Sequence, residues 1–141
     1  MRTIIIALIS LLFFACGTTS RKSSEPAMKL IWSDEFEYNG LPDSTHWSYD
    51  TGGDGWGNNE LQFYTAKRAE NARVGNGRLI IEARRENFEN REYTSARLIT
   101  KGKGDWKYGR IDVRAKLPKG RGTWPAIWML ASNEPLAWPD D

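Results

Sequence analysis

Cysteine, histidine and strong charge of either sign are all scarce in this sequence. There is one cysteine, Cys16, and one histidine, His46, among 141 residues. A single cysteine closes no disulfide, so a folded domain here must be stable without one. The formal net charge is only +2, too little to mark a nucleic-acid partner or an acidic membrane surface. No internal repeat is visible and no segment has the periodicity of an amphipathic helix. The longest apolar run, Ile4 to Phe14, is too short to span a bilayer as a stable helix. What the chain does have is 40% hydrophobic and 27% charged residues, the balance of a globular domain, at a length that suits one domain. It also has seven tryptophans. Such a surplus lines either a core or a binding surface. A sugar ring offers a flat face of C–H bonds, for which an indole is a natural platform.

The first residues read as an address. Met1-Arg2 is a short basic start, Ile4 to Phe14 an apolar core, and Phe13-Phe14-Ala15-Cys16-Gly17 places a small residue before the cysteine. This is the lipobox pattern of bacterial lipoproteins, in which cleavage before Cys16 frees its thiol to carry lipid; the alternative is an ordinary signal peptide with an incidental cysteine. Residues 1–15 are therefore expected to be a signal peptide and 16–28 a flexible tether, rich in Ser, Thr and Lys without apolar periodicity. Residues 29–141 are expected to form the domain. On this reading the protein sits in the bacterial cell envelope, held to the outer membrane by lipid on Cys16, on its periplasmic or outward face.

From Met28 onward the pattern is strand-like, with turn signals at short intervals. Thr51 to Asn59 holds four glycines in nine residues and must be a loop. Val74-Gly75-Asn76-Gly77-Arg78-Leu79 predicts a hairpin, since Asn-Gly between apolar flanks suits a tight primed turn. Leu79 to Arg84 predicts a half-buried strand and Tyr93 to Thr100 the next one. In Tyr108 to Leu117, Ile111, Val113 and Ala115 alternate with Arg110, Asp112, Arg114 and Lys116, which also predicts a strand. Trp124 to Leu130 is mostly apolar and predicts a strand buried on both faces. Short strands at this spacing argue an antiparallel sandwich or barrel.

Three blocks carry chemistry. Gly55-Trp56-Gly57-Asn58-Asn59-Glu60-Leu61-Gln62-Phe63-Tyr64 combines glycines, which let backbone approach a ligand, with a stacking ring and directional hydrogen-bond groups. It also reads as a glycine-rich turn with Asn59 and Glu60 merely solvated. Arg97 lies between apolar residues, and facing a cleft its rigid donor fork would hold sugar hydroxyls. Trp124 and Trp128 are four apart and in a regular strand share one face.

GWGNNELQFYT, YTSARLITKGKGDWKYGRIDVRAKLPKGRGTWPAIWML and the opening WSDEFEYNG together resemble glycoside hydrolase family 16, in its laminarinase (endo-β-1,3-glucanase) branch. The resemblance runs from about Leu30 to the last residue, in family order. It implies an all-β fold, an antiparallel β-sandwich of jelly-roll type that is incomplete over these residues, with glucan lying across the concave face. It implies that Asn58, Arg97 and Trp124 contact sugar on the non-reducing side of the cut, that Trp128 lies on the cleft floor, and that Trp56, Glu60 and Gln62 support the loop. No cofactor is required; a structural Ca²⁺ would draw on Glu35 and Gly77, chiefly through backbone carbonyls, with further ligands needed to reach about six oxygens.

The family's catalytic strand reads Glu-x-Asp-x-x-Glu, with carboxyls about 5 Å apart for retaining hydrolysis. It is expected just after Asp141, following the Trp138-Pro139 loop, so no residue of this chain is assigned a catalytic role. Asp34 and Glu35 would point to opposite faces of a strand, and Glu86 and Glu89 read as solvated. The implied function is hydrolysis of internal β-1,3-glucosidic bonds in laminarin-type β-glucans by the full-length protein, a monomer whose partner is the polysaccharide. The alternative is a non-catalytic β-glucan-binding lipoprotein on the same fold. His46 reads as structural, because this hydrolysis runs on carboxylates.

Overall fold

The computed structural model describes residues 28–132. The expected signal peptide, the lipidation at Cys16, all of the tether before Met28 and the Trp138–Asp141 segment lie outside the described residues. The chain divides into two units, Met1–Leu30 and Ile31–Asp141, and the strands among the described residues lie in the second.

The described residues contain strands and no helix. In chain order they are β1 (Ser48–Asp50), β2 (Gln62–Tyr64), β3 (Ala72–Val74), β4 (Leu79–Ile81), β5 (Arg84–Phe88), β6 (Arg91–Ser95) and β7 (Arg97–Ile99). They pair as β1-β7, β2-β6-β5 and β3-β4. All pairs are antiparallel except β2 with β6, which run parallel.

The predicted hairpin is present. Asn76 and Gly77 have φ of 55° and 67°, the left-handed pair that a type I′ turn demands and that Asn-Gly supplies at least cost. It sets Val74 opposite Leu79 and Ala72 opposite Ile81.

Two predicted strands are each broken in two. Leu79 to Arg84 leaves β4 after Ile81 and enters another sheet at Arg84; the Glu82 amide, bonded to the Asn71 carbonyl at 2.9 Å, is the last link of the β3–β4 register before that change. Tyr93 to Thr100 divides at Ala96, which is buried. There the Ser95 carbonyl accepts both the Thr65 amide, at 2.9 Å, and its hydroxyl, at 3.3 Å. These bonds close the β2–β6 pairing at Ser95, and from Arg97 the chain continues in the sheet of β1.

Two other predicted strands are not formed. Tyr108–Leu117 and Trp124–Leu130 have no ladder partner among the described residues and form no strand. Trp124–Leu130, expected to be buried on both faces, is exposed. Alternation supplies a face, but a strand exists only through hydrogen bonds to a neighbour.

The packing that does exist is of two kinds. One is a polar core. Asn71 and Thr94 are fully buried beside Ala72 and Val74. The Asn71 oxygen accepts from the Thr65 hydroxyl at 2.8 Å and from Arg68 at 3.2 Å. Its amide donates to the Glu82 carbonyl at 3.1 Å and to the Thr94 hydroxyl at 2.8 Å. Thr94 donates onward to Glu86. Glu86, expected to be solvated, instead receives both arms of Arg68, at 2.7 and 2.9 Å. This fork-to-fork pair spans residues 18 apart in sequence, a proximity that no local pattern reveals.

The Arg68 fork, followed by the Thr94 hydroxyl, holds the Glu86 carboxyl down at about 2, against an ordinary 4.5. A carboxylate depressed on folding stabilises the fold above its unfolded value, and that contribution is lost as pH falls through its folded one. Stability is thus expected to drop between about pH 5 and pH 2, and Glu86→Gln to flatten that part of the profile. Acid titrations followed by circular dichroism test this; identical acid limbs for the two proteins would refute it.

The second kind is aromatic. Trp32 packs against His46, Trp47 and Trp106 with ring centroids 5.3, 5.8 and 5.5 Å away. Beneath it the Asp34 carboxylate accepts from the Trp47 indole at 2.8 Å, the Tyr38 hydroxyl at 3.3 Å and the Phe36 amide at 3.0 Å. His46 is thus part of a packed cluster, with its Nδ1 3.7 Å from Asp34.

Candidate functional site

The glycine-rich segment closes into a loop because its two ends are bridged. Gly52 and Tyr64 exchange amide–carbonyl hydrogen bonds of 3.1 and 2.9 Å, so the chain leaving β1 returns beside its own departure point. Within the loop the Gly55 carbonyl accepts from the amides of Asn58 and Glu60 at 2.9 and 3.1 Å. Gly55 is buried with φ of 89°, a conformation a side chain would oppose. The Asp54 carboxylate caps the Trp56 amide at 3.0 Å, and the Trp56 indole N–H reaches the Gly52 carbonyl at 3.3 Å. These bonds set the indole edge-on to Tyr64, 5.6 Å between centroids.

Glu60, Gln62 and Tyr64 are two apart along the chain and meet on one face. The Glu60 carboxylate accepts from the Gln62 amide at 2.5 Å and the Tyr64 hydroxyl at 2.7 Å. Burial, with the Glu60 carboxylate adding to it, pushes the Tyr64 hydroxyl up to about 12, so it remains a proton donor at any working pH. Asn58 lies exposed at the loop surface, its amide 3.3 Å from the Trp56 carbonyl and 3.5 Å from Glu60.

The centre of the site is Arg97. Its guanidinium carbon stands 4.5 Å from the Trp56 ring and 4.9 Å from the Trp128 ring. Its Nε donates to Asp50 at 3.1 Å. Asp50 and Arg97 are directly opposed in the β1–β7 register. The structure therefore gathers Trp56, Glu60, Gln62, Arg97 and Trp128 into one neighbourhood, with Asn58 on the same loop. Trp124, expected to share a strand face with Trp128, does not, since no strand forms there; its side chain is 71% exposed.

Sequence reasoning missed two members. Tyr64 was within reach, because it continues the two-residue alternation of Glu60 and Gln62. Asp50 was not, since it lies 47 residues from Arg97 and only the β1–β7 pairing joins them.

The tryptophans thus divide. Trp32, Trp47 and Trp106 build the packed cluster, while Trp56 and Trp128 flank the arginine. Cations over indole faces are attracted by the ring quadrupole, most strongly where water is thinned. Held in this way, a guanidinium offers donors in a fixed plane beside apolar ring surface, the pairing that a sugar's hydroxyls and C–H face would use. The carboxylates at this site are each engaged, Asp50 by Arg97 and Glu60 by Gln62 and Tyr64, and elsewhere Asp34 and Glu86 are taken up in structural hydrogen bonds. Of the expected calcium positions, Glu35 is exposed and Gly77 sits at the exposed hairpin tip. Among the described residues no three acidic, histidine or cysteine side chains converge as metal ligands.

The described strands form an all-β frame with a glycine-rich loop around a stacked arginine. Residues 59–140 match the model of glycosyl hydrolases family 16, and the chain belongs to that family. It is 60% identical over 126 residues to a beta-glucanase of Rhodothermus marinus, covering 87% of this chain and 44% of that protein. It is 44% identical over 119 residues to a glucan endo-1,3-beta-glucosidase of Cryptopygus antarcticus, covering 80% of this chain and 43% of that protein. The crystal structure of the laminarinase from Rhodothermus marinus superposes with a TM-score of 0.76 at 66% identity, over 79% of this chain and 45% of that one. The fold class is accordingly the jelly-roll β-sandwich. The chain spans less than half the length of these relatives.

Proposed function

We propose that the protein carrying this chain hydrolyses internal β-1,3-glucosidic bonds of laminarin-type β-glucans with retention, and that residues 29–141 supply part of its sugar-binding face. The observation that carries this reading is the Arg97 guanidinium held between the indoles of Trp56 and Trp128. Asn58, exposed beside them, adds an amide that both donates and accepts, and Trp124 adds an exposed ring. Glu60 and Gln62 hold the loop. The names of the relatives, a beta-glucanase and a glucan endo-1,3-beta-glucosidase, support the same substrate class. The catalytic carboxylate pair belongs, on this proposal, to the part of the relatives' length that the chain does not span.

Arg97→Ala removes a charged donor fork from between two rings. It is expected to weaken laminarin binding by about a hundredfold, since hydrogen bonds to charged groups contribute about 1.5–3 kcal/mol. Affinity electrophoresis of the whole protein in laminarin gels measures this. Unchanged retardation would remove Arg97 from the site and with it the main support for a glucan substrate.

The proposal includes the address. Lipid on Cys16 would hold the protein in the bacterial cell envelope, because one acyl chain adds about 0.8 kcal/mol per buried methylene and two signals give stable anchoring. Cys16→Ser is expected to move the protein from the membrane to the soluble fraction of cells. Continued membrane recovery of the serine variant would refute lipidation.

A further inference from the structure

We propose that Asp50 is a positioning residue for Arg97, setting the plane in which the guanidinium meets the polysaccharide. The inference rests on the glucan-binding reading of Arg97 and goes beyond it by naming the group on which that arginine depends. Arg97 has three restraints of different kinds. The rings of Trp56 and Trp128 lie at 4.5 and 4.9 Å and confine its position. Neither ring selects which edge of the guanidinium points outward, because attraction to a π-face is nearly indifferent to rotation about the ring normal. The third restraint does select an edge. Asp50 takes the Nε hydrogen at 3.1 Å, and among the described residues no protein acceptor is bound to either Nη. With Nε occupied, the Nη donors are the ones left for a ligand.

The pairing is built into the sheet. Asp50 and Arg97 face each other across the β1–β7 ladder, so the carboxylate needs no loop ordering to reach its partner. Asp50 closes the strand that leads into the glycine-rich loop, and Arg97 opens the strand that follows the chain's change of sheet at Ala96. The side chains are 21% (Arg97) and 32% (Asp50) exposed. A part-buried ion pair contributes to stability as well as to orientation, so melting temperatures are read beside binding.

The test is a double-mutant cycle in the whole protein, with laminarin as the probe and affinity electrophoresis as the readout. Asp50→Ala is expected to weaken binding about tenfold. Asp50→Asn, which keeps an acceptor of the same size without the charge, is expected to recover most of that loss. If Asp50 acts through Arg97, Asp50→Ala/Arg97→Ala binds no worse than Arg97→Ala alone. Melting temperatures accompany each variant, and the isosteric asparagine keeps the cycle usable should alanine unfold the protein. If Arg97→Ala weakens binding and Asp50→Ala does not, or if the two losses add, the positioning role is wrong while the glucan site stands. If the unmutated protein ignores laminarin, or Arg97→Ala has no effect, both readings fall together.

Discussion

Asn71→Ala is expected to lower the stability of the protein by about 3 kcal/mol, a large share of the roughly 5–15 kcal/mol that holds a domain together. Asn71 is fully buried and uses both ends of its amide on four groups. The partners do not suffer equally when it goes. The Thr65 hydroxyl still has the Ser95 carbonyl within 3.3 Å, and Arg68 keeps its fork on Glu86. The part-buried Glu82 carbonyl loses its amide donor outright, while the fully buried Thr94 oxygen loses a donor but keeps its bond to Glu86. An orphaned group costs about 1–3 kcal/mol, and the cavity adds to it. Asn71→Asp separates the terms: it keeps the acceptor for Thr65 and Arg68 but sets a carboxylate against the Glu82 carbonyl, so it should be no better than alanine. Urea unfolding of the whole protein measures both, and a loss under about 1 kcal/mol for Asn71→Ala would show that the polar core is not what ties the sheets together.

The 141-residue chain, expressed by itself, is expected to self-associate. Between Trp106 and Leu130, ten large apolar side chains are at least 39% exposed, with Ile111, Val113 and Leu117 between 52% and 56%. Covering half a side chain of this size gains about 1 kcal/mol, so the stretch holds on the order of 10 kcal/mol of unmet burial. Soluble monomers rarely leave such contiguous apolar surface open. The alternating stretch from Tyr108 to Leu117 also presents unpaired backbone, a template for another strand. Light scattering after gel filtration at micromolar concentration should find oligomers or aggregate. Lysines in place of Ile111 and Val113 should shift the chain toward monomer. A monomeric unmodified chain with a sharp cooperative melt would overturn the prediction.

Much of the site was legible in the residues. The glycine-rich loop was read from its composition, and the hairpin from Asn76-Gly77, because left-handed backbone is a property of single residues. Trp56, Glu60, Gln62, Arg97 and Trp128 were all named from one block or another. The tryptophan surplus was ambiguous as composition. It resolved only when Trp32 met Trp106, 74 positions later in the chain, and Trp56 met Arg97.

By itself, then, the sequence determined the all-β class, the tight turn and the residue types at the loop, since each follows from alternation, backbone preference or local spacing. Tertiary structure alone decided which strands exist and which carboxylates are structural. A strand needs a partner to complete its hydrogen bonds, so Arg97 to Ile99 is a strand because β1 is there, while the well-alternating Tyr108–Leu117 has no such neighbour among the described residues. A carboxylate's role depends on what stands opposite it. Asp50 faces Arg97 and Glu86 faces Arg68 through pairings that cross 47 and 18 residues of chain, and no pattern along the chain specifies a contact made across it.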